Sequence, residues 1–233
     1  MSPSADELDA LLADARADDN VLGVVLFGSR GRGDFVRDGS DLDVFVVVRE
    51  HRGERPFVHG AHVETVEVTL DELRSQPDWN RYALAWLEPQ LDKTGEIRDA
   101  LRDGVRVDPA TAGEPLDAYV NSYYRSLKNA RLGLELAALF DAQDSVRWFL
   151  EFVFALHGRL RPFNKWLAWE LEHHPLPGDH VPLAQLERIA RTGDVREQAA
   201  LFRDVETLAR ERGLGAVIDG WEPDLATLRG EQQ

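Results

Sequence analysis

Hydrophobic positions follow different periods in the two halves of the chain. From Val21 to Phe27 they run almost without a break, which fits a short strand buried on both faces. Leu42 to Val48 is a second such run, rich in β-branched residues. Between Ala61 and Leu70 the period is two: Val63, Thr65, Glu67 and Thr69 fall on one face, and Glu64, Val66 and Val68 on the other. A helical stripe of Leu8, Leu11, Leu12 and Ala15 precedes the first strand, opened by Ser4-Ala-Asp-Glu7 in the form of a capping box. Thr69-Leu-Asp-Glu72 has the same form and predicts a helix directly after the third strand. Helical patterns are read over 82–91 and 96–101, a charged loop over 50–60, and a short edge strand over 104–109.

The period changes after Asp108-Pro-Ala-Thr-Ala-Gly-Glu-Pro115, a linker-like stretch. Beyond it β-branched residues thin out, and helices are predicted near 116–140, 143–159, 162–173, 182–192, 196–212 and 222–229. Breaks are expected at Asp141, Arg161-Pro162, Pro175 to Gly178, Thr192-Gly193 and Gly213. The pattern therefore predicts an α+β chain of two domains. A small sheet with flanking helices occupies 1–112, and an all-α bundle occupies 113–233.

Composition narrows the partners. A net charge of −15 disfavours a polynucleotide, whose binding rests on a basic face, and suits a small neutral or cationic partner. The absence of cysteine removes disulfides and thiolate metal sites. No apolar run approaches the length of a membrane span, and the N-terminus lacks the regions of a signal peptide, so a cytoplasmic location is expected. Only three lysines occur, Lys93, Lys128 and Lys165, which makes each of them a candidate for a specific role.

The candidate chemistry lies between the first two strands. Asp41 and Asp43 stand two apart at a strand start, so both carboxylates leave the same face and repel one another unless a cation lies between them. Hard oxygen ligands of this kind suit Mg²⁺ or Mn²⁺ shared with substrate phosphates. Gly28-Ser29, where the first strand ends, can form a backbone nest for an anion, with Arg30 and Arg32 adding charge suited to phosphate. There is no Gly-x4-Gly-Lys-Ser/Thr, which excludes a P-loop. Gly28-x2-Gly31-x-Gly33 is not a dinucleotide turn either, because the acids open the second strand instead of ending it.

Gly28-Ser29, eleven residues, then Asp41-x-Asp43 inside an apolar strand resembles the nucleotidyltransferase signature of the DNA polymerase β-like superfamily. The resemblance spans about residues 21–70 and is nearest to antibiotic (aminoglycoside-type) adenylyltransferases and to minimal nucleotidyltransferases. It implies a nucleotidyltransferase fold with a small mixed sheet, followed by a helical domain that closes over the acceptor. It implies that Asp41 and Asp43 bind divalent metal, two Mg²⁺ ions with Mn²⁺ as the alternative, and that Gly28, Ser29, Arg30 and Ser40 hold the triphosphate. The third carboxylate it implies is assigned to Glu67 in Val66-Glu-Val-Thr69, with Glu64 on the other face as the alternative. The implied activity moves a nucleoside monophosphate, AMP from ATP or from another triphosphate, to a hydroxyl of a small molecule such as an aminoglycoside-like antibiotic. Pyrophosphate is released, and a homodimer that completes the site is compatible with the resemblance.

In the helical half, Arg125, Lys128 and Arg131 recur every three residues in a stretch without acids, and Arg125 and Lys128 are assigned to the triphosphate. Lys165 lies in a basic and aromatic stretch and receives the same assignment. Trp148, Phe152, Leu156, Trp166 and Trp169 are read as bundle packing, and the histidines as surface or loop residues. The alternatives are protein nucleotidylation and a non-catalytic nucleotide-binding module. A fused ribonuclease is disfavoured, because no Arg-x4–6-His occurs in the helical half.

Overall fold

The structure, a computed structural model, describes residues 3–33, 41–53, 58–59, 62–178 and 181–231. It divides into two compact units, Met1–Arg106 and Val107–Gln233, each with its own core.

The first unit runs α1 (Pro3–Ala17), β1 (Val21–Phe27), α2 (Gly28–Arg32), β2 (Leu42–Val48), β3 (Val58–His59), β4 (Val63–Thr69), α3 (Leu70–Arg74), α4 (Asp78–Arg81), β5 (Pro89–Asp92) and α5 (Glu96–Gly104). Its strands form one mixed sheet in the order β3-β4-β2-β1-β5. β1 is antiparallel to β2 and β5, whereas β2 and β4 are parallel. Both faces are covered, as the near-continuous apolar runs require. One face packs Val24, Val44 and Val48 under Leu12 and Ala15 of α1. The other packs Val25, Phe45, Val47 and Val68 against Leu73 of α3 and Ile97 and Leu101 of α5.

Thr69 caps α3 through a complete capping box with Glu72, as its sequence predicts. The helix read over 82–91 does not form. Tyr82–Leu84 is a single 3₁₀ turn, Trp86 adopts a positive φ of 63°, and Pro89 opens β5 at the sheet edge. Proline lacks the N–H that a helix interior needs, and the apolar spacing alone concealed this. The edge strand over 104–109 shrinks to a single bridge residue, Arg106: α5 continues to Gly104, and Pro109–Ala112 forms a 3₁₀ turn capped by Asp108.

The second unit contains α6 (Gly113–Arg131), α7 (Glu135–Leu156), α8 (Leu167–His173), α9 (Leu183–Thr192), α10 (Val195–Glu211), α11 (Gly215–Asp219) and α12 (Leu225–Leu228). The break expected at Asp141 falls instead at Leu132 to Leu134, where Gly133 takes φ +70°. Asp141 lies inside α7 and buried, because Arg125 and the Asn129 amide of α6 satisfy its carboxylate. The core gathers Tyr119, Phe149, Phe152, Phe154 and Phe202, with Trp148 and Leu156 packed against it. Trp166 and Trp169 are buried edge to face, 5.4 Å apart, so the aromatic stretch packs as expected. No helix among the described residues is long and apolar enough to cross a membrane.

Candidate active site

Strand direction brings the Gly-Ser turn and the acids to one end of the sheet. β1 ends where antiparallel β2 begins, so Phe27 pairs with Asp43, and Gly28-Ser29 follow directly. β4 begins at the same end because it runs parallel to β2, and its Glu64 pairs with Asp43. Paired residues share a face, so Phe27, Asp43 and Glu64 leave the sheet on the side of Phe45 and Val66. Phe27 stacks on Phe45 at 4.1 Å and roots this end of the sheet in the core.

Gly28 adopts φ +66°, and a Cβ placed there would stand 2.2 Å from Asp43 Oδ2. The turn therefore excludes every side chain twice, by backbone conformation and by the carboxylate pressed against it. Phe27, at the N-cap of α2, offers no side-chain oxygen to the first N–H groups of the helix. Ser29 and Arg30 are half-buried beside them.

Asp43 is half-buried, and its nearest charges are acids. Burial raises its carboxyl above the usual range, and the charges of Glu64 and then Asp41 raise it further. Asp41 stands exposed just before β2, whose first amide, that of Leu42, donates to the His62 carbonyl at 2.9 Å.

Glu67 lies elsewhere. It pairs with Val46, on the opposite sheet face from Asp43. Its carboxylate meets His51 Nδ1 at 2.8 Å, while His51 Nε2 meets Glu72 at 2.7 Å, forming a clamp between the end of β2 and α3. The structure thus places Glu64, and not Glu67, beside Asp43. The reason is parallel register, which aligns β4 with β2 from their shared starting end. Alternation separates the two glutamates but does not say which of them faces the aspartates.

The remaining candidates divide. Arg32 turns inward: its Nε donates to the Ala85 carbonyl at 3.0 Å, its Nη2 to the Tyr82 carbonyl, and its guanidinium lies over the Tyr82 ring. It fastens α2 to the 82–85 turn instead of facing phosphate. Ser40 falls outside the described residues. Arg125, Lys128 and Lys165 belong to the second unit, where Arg125 is committed to Asp141. Lys128 is exposed on α6, and Lys165 is exposed with its ammonium 5.3 Å from the Trp166 ring centre.

The acids fit a divalent cation by donor type and by mutual repulsion, since a cation would relieve the crowding that raises the Asp43 carboxyl. Among the described residues, no three acid or histidine side chains already converge on one point as a ligand set.

Residues 8–115 match the nucleotidyltransferase domain family. That match runs from within α1 through the whole sheet to the first residues of α6, and so covers the sheet end that holds Gly28, Asp41, Asp43 and Glu64. A nucleotidyltransferase domain supports nucleotidyl transfer in general and implies a nucleoside triphosphate substrate. Among solved structures, a nucleotidyltransferase-like protein from Exiguobacterium sibiricum 255-15 is similar at 12% identity and a TM-score of 0.45, covering 97% of this chain and 77% of its own. No curated protein matches the sequence.

Proposed function

We infer that the first unit transfers a nucleoside monophosphate from a nucleoside triphosphate, ATP in the simplest case, to a hydroxyl acceptor with release of pyrophosphate. The observation that carries this reading is the alignment of Asp43 with Glu64, with Gly28 against the Asp43 carboxylate. Asp41, Asp43 and Glu64 would hold the divalent metal. Bound there, such an ion neutralises phosphate charge and makes the acceptor hydroxyl easier to deprotonate. Ser29, the amides that follow Gly28, and Arg30 hold the β- and γ-phosphates through hydrogen bonds to their oxygens. With the triphosphate so anchored, the acceptor oxygen attacks the α-phosphorus as the bond to the bridging oxygen breaks. The acceptor proton leaves to a carboxylate, and pyrophosphate departs into the Ser29 and Arg30 cradle.

A small cationic acceptor, of which an aminoglycoside is one kind, is the acceptor class we favour, on the support of the net charge of −15. The test is a pyrophosphate-release screen with ATP and Mg²⁺ across aminoglycosides, simple alcohols and candidate proteins. Acceptor-dependent release that requires Mg²⁺ is the expected result. Metal-dependent nucleotide binding with no release across the whole panel would overturn transferase activity and leave a binding module. Modification of proteins alone would overturn the small-molecule acceptor.

A further inference from the structure

Within the second unit a cleft of about 800 Å³ opens between the C-terminal end of α6, the first half of α10 and the segment that follows α12. Leu127 and Ala199 are buried in its floor, and Arg131, Arg196 and Arg203 line it. Among the described residues, no carboxylate lines it. This is unexpected in a chain of net charge −15. Elsewhere in the same unit Arg125 pairs with Asp141, Arg188 with Glu197, and Arg210 and Arg229 with Glu206. Arg131 and Arg196 have no ion-pair partner among the described residues.

The cleft has shaped walls. Arg203 donates one arm to the Arg229 carbonyl at 2.7 Å and so fixes its guanidinium at the edge. Gly230, at φ +74°, brings the closing segment so near α10 that a Cβ there would lie 3.2 Å from the Ala199 Cβ. Beneath, Tyr123 donates its hydroxyl to the Leu228 carbonyl. Burial pushes that hydroxyl's pKa up, and the charges of Arg203 and Arg131 oppose the rise. Three arginines over an apolar floor, in a volume typical of small-molecule sites, match an organic anion with several charged oxygens.

We propose that this cleft binds a small, multiply charged oxyanion, either a phosphate ester or a polycarboxylate. The inference does not depend on the transferase reading, because every residue it uses lies in Val107–Gln233.

The test is calorimetric titration of the full-length protein, at low ionic strength with EDTA present, using tripolyphosphate and citrate as probes. Saturable binding of at least one probe is expected, and which one binds separates the phosphate from the carboxylate source. The double variant Arg131→Gln with Arg196→Gln changes only exposed side chains and should weaken that binding about tenfold or more, as loss of charge-assisted hydrogen bonds does. Ser29→Ala should leave it unchanged, which keeps this cleft distinct from the phosphate cradle of the first unit. Failure of both probes to bind, binding that survives the double variant, or binding that Ser29→Ala removes would each overturn the proposal.

Discussion

Two glycines in the same turn region allow the role of the Gly28–Asp43 contact to be isolated. Gly28 and Gly33 both hold positive φ, +66° and +75°, but a Cβ at Gly33 would meet nothing within 4 Å. Replacing either by alanine forces an L-residue into the left-handed region, at a cost of about 1–2 kcal/mol. Both variants should therefore lose similar stability, read as a fall in melting temperature of about 4–8 °C per kcal/mol for a domain of this size. Only Gly28→Ala adds a clash. Its Cβ would lie 2.2 Å from Asp43 Oδ2, and ordinary contact begins near 3.4 Å, so the carboxylate must withdraw by the difference.

A displacement of about 1 Å at a reacting centre can lower turnover about 10²-fold, equivalent to about 2.7 kcal/mol of barrier. Gly28→Ala should show that loss in pyrophosphate release, together with weaker Mg²⁺-dependent binding of a non-hydrolysable ATP analogue. Gly33→Ala should keep wild-type values at a temperature where both variants are folded. If Gly28→Ala retains wild-type turnover and metal-dependent affinity, the Asp43 carboxylate is not the reacting or metal-binding group argued here. If Gly33→Ala falls equally, turn conformation explains the loss and the contact does not.

Substitutions at four further positions test the geometry of the first unit. Glu64→Gln should suppress pyrophosphate release about 10²-fold or more, as expected where a charge that stabilises the transition state is removed. Glu67→Gln should leave turnover near wild type and lower stability by about 1 kcal/mol through the His51 clamp, and the opposite ranking would refute the register argument. Asp43→Asn should abolish transfer yet stabilise the fold at neutral pH. The raised carboxyl means that the folded state holds its proton more tightly than the unfolded chain, so wild-type stability falls as pH rises from the ordinary carboxylate range through the raised value. The advantage of the variant in urea midpoint should accordingly be present at pH 7 and vanish as pH falls to about 4. Arg32→Ala should cost about 1–3 kcal/mol by stripping the carbonyls of the 82–85 turn, and Arg32→Lys should not restore it, since an ammonium lacks the fork.

The features legible in the sequence were those set by local rules. The two continuous apolar strands, the Thr69 capping box and the placement of Asp41 and Asp43 at a strand start depend on neighbours a few residues away, and they stand as read. Features set by partners distant in the chain were not legible. The choice of Glu64 over Glu67 depends on β4 running parallel to β2 in a register that no alternation pattern contains. The inward turn of Arg32 depends on carbonyls 50 to 53 residues away. The continuity of α7 through Asp141, where a break was expected, depends on Arg125 and Asn129 of the neighbouring helix. One signal was available and outweighed: Pro89 argued against a helix over 82–91.

The charges that surround buried acids set Asp43 apart from the other buried carboxylates described in this chain. In the second unit the three most buried acids each have a basic partner: Asp141 has Arg125, Glu170 has Arg159, and Glu206 has Arg210 and Arg229. Half-buried Glu151 is raised by burial, but the charges of Arg161 and Arg147 oppose the rise. Arg229 and Arg210 hold the Glu206 carboxyl below its usual range, which is what a structural ion pair does. Asp43 has the opposite environment. It is half-buried, no cation pairs with it among the described residues, and its carboxyl is raised by burial and by two other acids. With abundant arginine in the composition, one substitution nearby would supply a partner, so the missing partner does not reflect a shortage of basic residues. A fold tolerates such crowding where a ligand relieves it, and the nucleoside triphosphate that the matched domain implies is a polyanion, which uncompensated acids repel. On the proposed function, the charges that crowd Asp43 and lower stability are therefore the ones that would draw a divalent cation to the site.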